Sequence, residues 1–284
     1  MPPPCPHLTV VIPAYNEEDR ITAMLDEAVD HLSAAAYPSE LLVVDDGSTD
    51  GTADVVTTYA ARRATPRVTL RLLRQVPNGG KGAAVRAGAA AAKGAWVLMA
   101  DADGATRFAE IDALFAAVDA SGADAAVGSR AHLRSRSAKA AADGSGGRGG
   151  RDALRALLSW VFHMVVLLLG GVWGIADTQC GFKLYSAAAA VAAFRGQRLT
   201  RWAFDVENLY RLQAAGMRVV EVPVAWTEIP GSKMTSLVRV GVWMLADVLR
   251  MRWAYATGQW TLPGRQAGVE PRRGVVAAPA HAHQ

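Results

Sequence analysis

Five short apolar runs alternate with longer Ala-rich segments over the first 130 residues, and this alternation limits the possible folds more than any other feature. The runs are LTVVIPAY, ELLVVDDGS, VTLRLLRQ, AWVLMADAD and ADAAVGSR. Runs that are apolar throughout are typical of strands covered on both faces. The helical segments between them are typical of crossover connections. The sequence therefore predicts an α/β fold: a doubly wound, mostly parallel sheet with helices on both faces.

Polar side chains follow four of the five runs. In doubly wound sheets, ligands bind at the carboxyl ends of the strands, so we expect these polar residues to converge on one crevice. The residues are Asn16 and Glu17, Asp45 and Asp46, Asp101 and Asp103, and Ser129 and Arg130.

Asp101 and Asp103 lie one residue apart at the end of the fourth run. Side chains alternate with a period of two along a strand, so both carboxylates could face the same crevice. Carboxylates are ligands of Mg²⁺ and Mn²⁺, which usually share their coordination shell with substrate phosphates. A pair that only ends the strand and caps a helix beginning near Arg107 would explain the same residues. The residues alone leave both interpretations open.

Two further motifs lie at predicted turns. Asp45 and Asp46 could accept hydrogen bonds from a base or a ribose, or could only build a turn with Gly47. In PNGGKGAAVRAG, Lys81 follows two glycines at a predicted helix amino-terminus. Backbone N–H groups and an ammonium at that position favour phosphate. The stretch lacks the spacing of a P-loop.

Net charge and cysteine content exclude some classes of function. The formal net charge of +4 suits an anionic substrate or an anionic membrane surface. Nucleic acid is not expected as a partner, since no run of Lys and Arg is interleaved with aromatic residues. The two cysteines, Cys5 and Cys180, do not predict a disulfide framework, and they indicate a reducing compartment.

Several segments outside the apolar runs are predicted to be irregular or to contact a membrane. Residues 132–151 are rich in Gly, Ser and Arg and predict a flexible loop. The segments 152–176 and 234–260 are candidate membrane-interface helices, and ordinary burial in the core would explain them equally well. We expect disorder over 1–7 and 263–284, and neither a signal peptide nor an amino-terminal anchor.

Five motifs, in this order and spacing, resemble those of a family 2 glycosyltransferase of the GT-A fold: VVIPAYNEEDRI, VVDDGSTDGT, GKGAAVRAG, MADADGAT and GSR. Three later blocks, DTQCGFKLY, RWAFDVENLY and VAWTEIPGSK, are similar to the dolichyl-phosphate β-glucosyltransferase branch. The resemblance runs from Leu8 to about Leu262 and implies one GT-A domain over 8–262. Relatives in this branch commonly begin with a membrane-spanning anchor, which we do not expect before Leu8.

The resemblance implies an inverting transfer of glucose from UDP-glucose to dolichyl phosphate. The products would be dolichyl β-D-glucosyl phosphate, used to assemble lipid-linked oligosaccharide for protein N-glycosylation, and UDP. The implied cofactor is Mg²⁺ or Mn²⁺, and the implied location is the cytosolic face of the endoplasmic reticulum membrane, peripheral or embedded in its interface. The acceptor phosphate is mostly ionised near neutral pH, because its second pKa is about 6, so no strong general base is expected.

The resemblance also implies roles for single residues. Asp101 and Asp103 match the D-x-D metal site, with Asp103 the stronger candidate for direct ligation. Asp205 and Glu207 lie where relatives with hydroxyl acceptors often place a base, and we expect them to position groups or act electrostatically. The alternative is a polar helix start that orients Arg201. The candidate catalytic residues are Asp101, Asp103, Arg130, Asp205 and Glu207, and the candidate substrate-binding residues are Pro13, Ala14, Tyr15, Glu17, Asp45, Asp46, Lys81, Arg130, Lys183 and Lys233.

Three other functions compete with this interpretation. Mannosyl transfer from GDP-mannose to dolichyl or polyprenyl phosphate is the main alternative, because it uses a similar architecture. DADGAT is also similar to the D-x-D-G-T motif of haloacid-dehalogenase-like phosphatases, but that motif normally follows the first strand and has no alanine before the threonine. A non-catalytic nucleotide-sugar-binding protein would be indicated by loss of a metal-binding aspartate, and both aspartates are present.

Overall fold

The computed structural model describes residues 7–130, 169–227, 229 and 237–264. The strands are β1 (Leu8–Ala14), β2 (Ser39–Asp45), β3 (Val68–Arg74), β4 (Trp96–Ala100), β5 (Ala125–Ser129), β6 (Phe182–Ser186) and β7 (Val219–Pro223). The helices are α1 (Ile21–Ala34), α2 (Thr52–Arg63), α3 (Lys81–Ala91), α4 (Ile111–Ser121), α5 (Ala187–Phe194), α6 (Phe204–Ala214) and α7 (Leu237–Ala256). A short 3₁₀ helix at Phe108–Glu110 precedes α4.

The strands form one seven-stranded sheet in the order β3-β2-β1-β4-β6-β5-β7. The five apolar runs form β1 to β5, and the prediction of an α/β fold with a mostly parallel sheet is confirmed. Strand β6 was not predicted. It lies within DTQCGFKLYS and pairs antiparallel with β4 and with β5. Strand β6 therefore begins at the edge of the sheet where β4 and β5 end.

Helices cover both faces of the sheet and bury its strands. Helices α3, α5, α6 and α7 contribute to the hydrophobic core on one face, and α1, α2 and α4 contribute to the core on the other. Neighbouring residues of one strand enter different cores, as Val10 and Val11 of β1 do. This two-sided burial is the reason that β1 is apolar at all positions but Thr9 and that β2 is apolar from Leu41 to Val44.

Helix α7 packs one side against the core below it. Its buried residues Val240, Met244, Val248 and Met251 follow helical spacing and belong to the same core as α6. Helix α7 lies within the segment 234–260 that we predicted as a helix. Within the described ranges, none of the helices combines the length and the apolar character that a bilayer span requires.

Several predictions concern parts of the chain outside the described residues. These are the disorder predicted for residues 1–6 and 265–284, the loop 132–151, most of the candidate interface segment 152–176, and the phosphate-binding role of Lys233.

Candidate active site

The loops that follow β1 and β2 are tied together at the carboxyl edge of the sheet. Asn16 has a φ of 55°, and its amide donates to the Ser48 hydroxyl at 3.0 Å. Its side-chain carbonyl accepts from the amide of Thr49 at 2.8 Å. The amide of Glu17 donates to the Thr52 hydroxyl at 2.8 Å. These hydrogen bonds hold the two loops that we expect to contact a nucleotide side by side.

The remaining candidates at the end of β1 differ in exposure. Ala14 is buried, Pro13 is half-buried, and Tyr15 is exposed. Glu17 is buried and accepts two hydrogen bonds from the Arg20 guanidinium, at 2.8 and 2.7 Å. Of these four candidates, Tyr15 presents the most side-chain surface to a ligand.

Asp45 is the last residue of β2, Asp46 follows it, and both are buried. Asp45 accepts from the amide of Ser48 at 3.0 Å and pairs with Nε of Arg74 at 3.3 Å. The Asp45 carboxylate thus joins the loop after β2 to the end of β3. The Arg74 side chain is mostly exposed, so this pair lies at the rim of the crevice.

Asp46 sets the geometry at the start of α3. Its two carboxylate oxygens accept from the amides of Gly79 at 2.7 Å and Gly80 at 2.8 Å, and Gln75 donates to one of them at 2.9 Å. Burial raises the pKa of Asp46, and these hydrogen bonds oppose the shift. We predicted a substrate contact for Asp46. In the structure its carboxylate is engaged within the protein, where it holds the turn that places Lys81 at the first residue of α3.

Lys81 crosses the edge of the sheet to the D-x-D turn. Its Nζ lies 2.6 Å from Oδ1 of Asp101. Burial alone would lower the pKa of Lys81, but the carboxylates of Asp101, Asp205 and Asp103 outweigh this effect and raise the pKa. Lys81 is therefore a charged ammonium at neutral pH.

Asp101 and Asp103 come directly after β4, which ends at Ala100, and Asp103 lies in the turn that follows the strand. Oδ1 of Asp103 accepts from the amide of Ala105 at 3.0 Å. Oδ1 of Asp101 is buried and accepts no well-aligned hydrogen bond from the residues that the structure describes. The described charged neighbour of this oxygen is the ammonium of Lys81, so a metal cation at the turn would share or take over that contact.

Gly181 contacts Asp101 closely, and we did not predict it as a site residue. A Cβ at position 181 would lie 2.0 Å from Oδ2 of Asp101. The Gly181 carbonyl also accepts from the amide of Asp101 at 3.0 Å. The glycine is visible in TQCGFKL, but its meaning depends on the pairing of β6 with β4, which the sequence pattern did not predict.

We expect Gly181→Ala to displace the Asp101 carboxylate and weaken binding of Mn²⁺ in the presence of UDP roughly tenfold. Mn²⁺ binding measured by electron paramagnetic resonance tests this expectation. Gly264→Ala is the matched control, because a Cβ at that position meets no atom within 4 Å. Equal Mn²⁺ affinity in both variants would contradict the assigned role of Gly181.

Arg130 follows β5 and is held from two sides. Its guanidinium donates to Asp177 from Nε at 2.7 Å and from Nη2 at 2.9 Å, and its backbone amide donates to the same carboxylate at 2.9 Å. Its guanidinium carbon also lies 5.5 Å from the centre of the Trp226 ring. Burial would lower the pKa of Arg130, but the pairing with Asp177 outweighs it and raises the pKa. Asp177, which was not predicted, thus orients a charged Arg130.

The segment after β7 closes this side of the crevice. Trp226 forms an antiparallel bridge with Thr106, and the amide of Thr227 donates to the Ala105 carbonyl at 2.8 Å. The blocks DADGAT, TQCGFKL and the start of WTEIPGSK therefore meet around one turn. Two of these blocks, TQCGFKL and WTEIPGSK, belong to the sequence that resembles a single branch of the family.

Lys183 and Asp205 form a buried ion pair next to this turn. Nζ of Lys183 donates to Oδ1 of Asp205 at 2.5 Å and to the Cys180 carbonyl at 2.6 Å. Burial raises the pKa of Asp205, and the charges of Lys183 and Lys81 oppose the shift. We predicted that Lys183 binds substrate. Its side chain is fully buried and pairs with Asp205 instead.

Glu207 is fully buried and bonded to backbone amides. Its carboxylate accepts from the amides of Arg198 at 3.0 Å and Leu199 at 2.7 Å, and from the hydroxyl of Tyr255 at 2.7 Å. Glu207 therefore ties α6 to α7 and to the loop before α6. The alternative that Asp205 and Glu207 orient Arg201 finds no support, because the Arg201 guanidinium lies 4.9 Å from the Trp243 ring centre.

Two comparisons of the sequence agree with these motifs. Residues 9–142 match the family model described as glycosyl transferase family 2. A dolichyl-phosphate beta-glucosyltransferase from Homo sapiens is 41% identical over 271 residues, which cover 91% of this chain and 79% of that protein. The chain belongs to the dolichyl-phosphate β-glucosyltransferase branch of family 2. A relative in this branch from Dictyostelium discoideum is 38% identical over 264 residues, covering 90% of this chain and 77% of the relative.

A solved structure supports the fold of this family 2 glycosyltransferase. The glucosyl-3-phosphoglycerate synthase of Mycobacterium tuberculosis, in complex with Mn²⁺, UDP-glucose and glycerol 3-phosphate, superimposes with a TM-score of 0.59 at 18% identity. The match covers 91% of this chain and 81% of that one. At this identity the likeness shows the fold alone.

The oxygen ligands that the D-x-D turn of the glycosyltransferase offers are of the kind that a divalent cation binds. The turn offers two carboxylates, and one of their buried oxygens is free of aligned hydrogen bonds. Among the described residues, no three or more His, Cys, Asp or Glu side chains are grouped so that they could hold a metal ion by themselves. Mg²⁺ sites with one or two carboxylates are completed by water and substrate phosphates. The residues present therefore fit a cation that is bound together with a diphosphate.

Proposed function

We propose that this glycosyltransferase moves glucose from UDP-glucose to dolichyl phosphate with inversion, giving dolichyl β-D-glucosyl phosphate and UDP. The observation that carries the proposal is the meeting of DADGAT, TQCGFKL and WTEIPGSK around the Asp101–Asp103 turn. Relatives at about 40% identity carry the name of this activity. The site supplies the chemistry that the activity needs, as the next paragraphs argue.

The donor is bound across the loops after β1, β2 and β4. The exposed Tyr15 lies at the part of the edge proposed for the uridine, and the buried Asp45 carboxylate holds the loop after β2 there. Lys81 lies at the amino-terminus of α3, where its ammonium and the helix dipole attract the diphosphate. The position of the lysine is set by the Asp46 carboxylate through the glycine turn.

Asp101 and Asp103 are proposed to hold the Mg²⁺ or Mn²⁺. When bound, the cation neutralises charge that develops on the diphosphate leaving group. The chain adds its own cations at the same edge. Lys81 reaches the D-x-D turn directly, and Arg130 is fixed by Asp177 and Trp226 with its charge retained. Because these two cations are oriented before the reaction, they can stabilise the negative charge on the leaving diphosphate without rearranging during the reaction.

No side chain is needed as a strong base, because the acceptor is an ionised phosphate monoester. The contacts of the two acidic residues of α6 agree with a reaction that needs no strong base. Asp205 is paired with Lys183, and Glu207 accepts from two amides and a tyrosine. We propose that both residues position the site rather than move a proton.

An exposed apolar stripe on α7 is proposed to dock on a membrane. Val242, Leu249 and Trp253 are exposed at helical spacing, and the exposed Trp243 lies beside them. Trp on an amphipathic helix with arginines suits a membrane–water interface. The acceptor lies in a bilayer and the donor is water-soluble, so the enzyme works where the two meet. We place it on the cytosolic face of the endoplasmic reticulum membrane.

We expect the double substitution Leu249→Ser and Trp253→Ser to weaken binding to anionic vesicles at least several-fold, because it removes apolar area from the stripe. Vesicle co-sedimentation measures the bound fraction. Val191→Ser is the matched control, since Val191 is an exposed apolar residue on α5. If the control and the double variant bind equally, α7 does not dock as proposed.

A transfer assay with two donors tests the proposed function. The purified chain is incubated with Mg²⁺ or Mn²⁺, dolichyl phosphate and either UDP-glucose or GDP-mannose, each labelled in the sugar, and label is counted in the lipid phase. We expect label from UDP-glucose alone. Label from GDP-mannose alone would move the protein to the mannosyl alternative, and label from neither would refute both activities.

A further inference from the structure

Asp101 is contacted by a cation of the chain itself. The ammonium of Lys81 lies 2.6 Å from Oδ1 of Asp101, the same oxygen that is free of well-aligned hydrogen bonds. Mg²⁺ binds carboxylate oxygens at about 2.0–2.1 Å. An ammonium and a divalent cation on one oxygen would lie only a few ångström apart, at a partly buried site where their repulsion is strong. The two cations therefore compete for Asp101.

The competition depends on the side chain of Lys81, because the backbone at the start of α3 has no room to shift. A Cβ on Gly80 would lie 2.6 Å from the Thr200 carbonyl, and one on Gly82 would lie 2.7 Å from the Phe204 Cβ. The amide of Ala83 also donates to the Thr200 carbonyl at 3.1 Å. Rotation about the flexible carbon chain of Lys81 can remove its ammonium from Asp101 without moving this packed backbone.

A lysine side chain is an ammonium at neutral pH, so the competition persists there. The Asp205 carboxylate already has a cationic partner, because Nζ of Lys183 lies 2.5 Å from it. A donor diphosphate would offer Lys81 a new partner of higher charge at the amino-terminus of α3.

We propose that Lys81 couples metal binding to donor binding: its ammonium holds Asp101 against a divalent cation until a nucleoside diphosphate draws it away. This inference rests on the proposed function, since it takes the D-x-D turn as the metal site. Because coupling between two ligands is reciprocal, the metal tightens nucleotide binding by the same factor as the nucleotide tightens metal binding. A bound diphosphate would also ligate the metal directly, so Lys81 supplies one part of the coupling between metal binding and nucleotide binding.

The affinity for Mn²⁺ without nucleotide isolates the part that Lys81 supplies. We expect Lys81→Met to bind Mn²⁺ roughly tenfold more tightly than the unaltered chain when no nucleotide is present, a factor within the usual range of coupling between sites. The affinity gain on adding UDP should shrink by a similar factor. Lys81→Arg keeps the charge and should behave like the unaltered chain.

Electron paramagnetic resonance of free Mn²⁺ measures these affinities on the full chain, with and without UDP. Lys93→Met is the matched control, because it removes the same charge from an exposed position just after the end of α3. Asp103→Asn combined with Lys81→Met should lose the tight Mn²⁺ site, which locates the metal at the D-x-D turn.

Two results would overturn the inference in distinguishable ways. If Lys81→Met and Lys93→Met bind Mn²⁺ alone with the affinity of the unaltered chain, while UDP still promotes Mn²⁺ binding that Asp103→Asn abolishes, the coupling role of Lys81 is wrong and the metal site stands. If no variant binds Mn²⁺ with or without UDP, the metal site of the proposed function fails together with the inference.

Discussion

Replacing Asp103 with asparagine is expected to slow glucose transfer at least about 100-fold, the scale seen when one preorganised electrostatic contact to a developing charge is lost. The substitution removes the ligand charge but keeps the shape of the turn, because an asparagine carbonyl can still accept from the amide of Ala105. The rate of transfer at saturating UDP-glucose and Mn²⁺ measures the effect.

Asp119→Asn controls for the loss of one negative charge, since Asp119 is exposed on α4. The thermal midpoints of both variants should stay near that of the unaltered chain. Full activity of the Asp103 variant would remove the D-x-D turn from the mechanism.

Glu207→Ala is expected to lower the free energy of unfolding by roughly 3–5 kcal/mol, as when one partner of a buried charged network is removed. The change leaves the amides of Arg198 and Leu199 and the buried hydroxyl of Tyr255 without this acceptor. Urea denaturation followed by circular dichroism measures the loss.

Tyr255→Phe removes one donor of the same network and should cost only about 1 kcal/mol. Asp119→Ala, an exposed change on α4, should cost less still. An unfolding midpoint for Glu207→Ala equal to that of Asp119→Ala would show that Glu207 does not stabilise the junction of α6 and α7.

The parallel part of the fold was predictable from sequence because burial on both faces leaves β1, β4 and the middle of β2 apolar. The same pattern failed for β6, whose segment FKLYS contains a lysine. Lys183 is tolerated in the sheet because its charge is met by Asp205, 22 residues further along the chain. A pattern of apolar residues carries no information about such a distant partner.

The site was predictable in its residue types but not in their contacts. Asp46 was recognised as a site residue, yet its hydrogen bonds to Gly79 and Gly80 span more than 30 residues and appear only in the fold. Asp177 and Gly181 were missed because Asp177 acts on Arg130 and Gly181 acts on Asp101. These contacts depend on the position of β6 in the sheet, which was not predicted. Motif resemblance located the edge of the sheet, and the structure separated its exposed residues from those whose side chains are bonded within the protein.

Metal removal tests the central claim, that the Asp101–Asp103 turn presents UDP-glucose to dolichyl phosphate on a divalent cation. The measurement is the rate of glucose transfer into the lipid phase after treatment with EDTA and after adding back Mn²⁺ or Mg²⁺. We predict that EDTA abolishes transfer, and that either metal restores it in the unaltered chain but not in Asp103→Asn. Transfer that continues at full rate in EDTA would contradict the account.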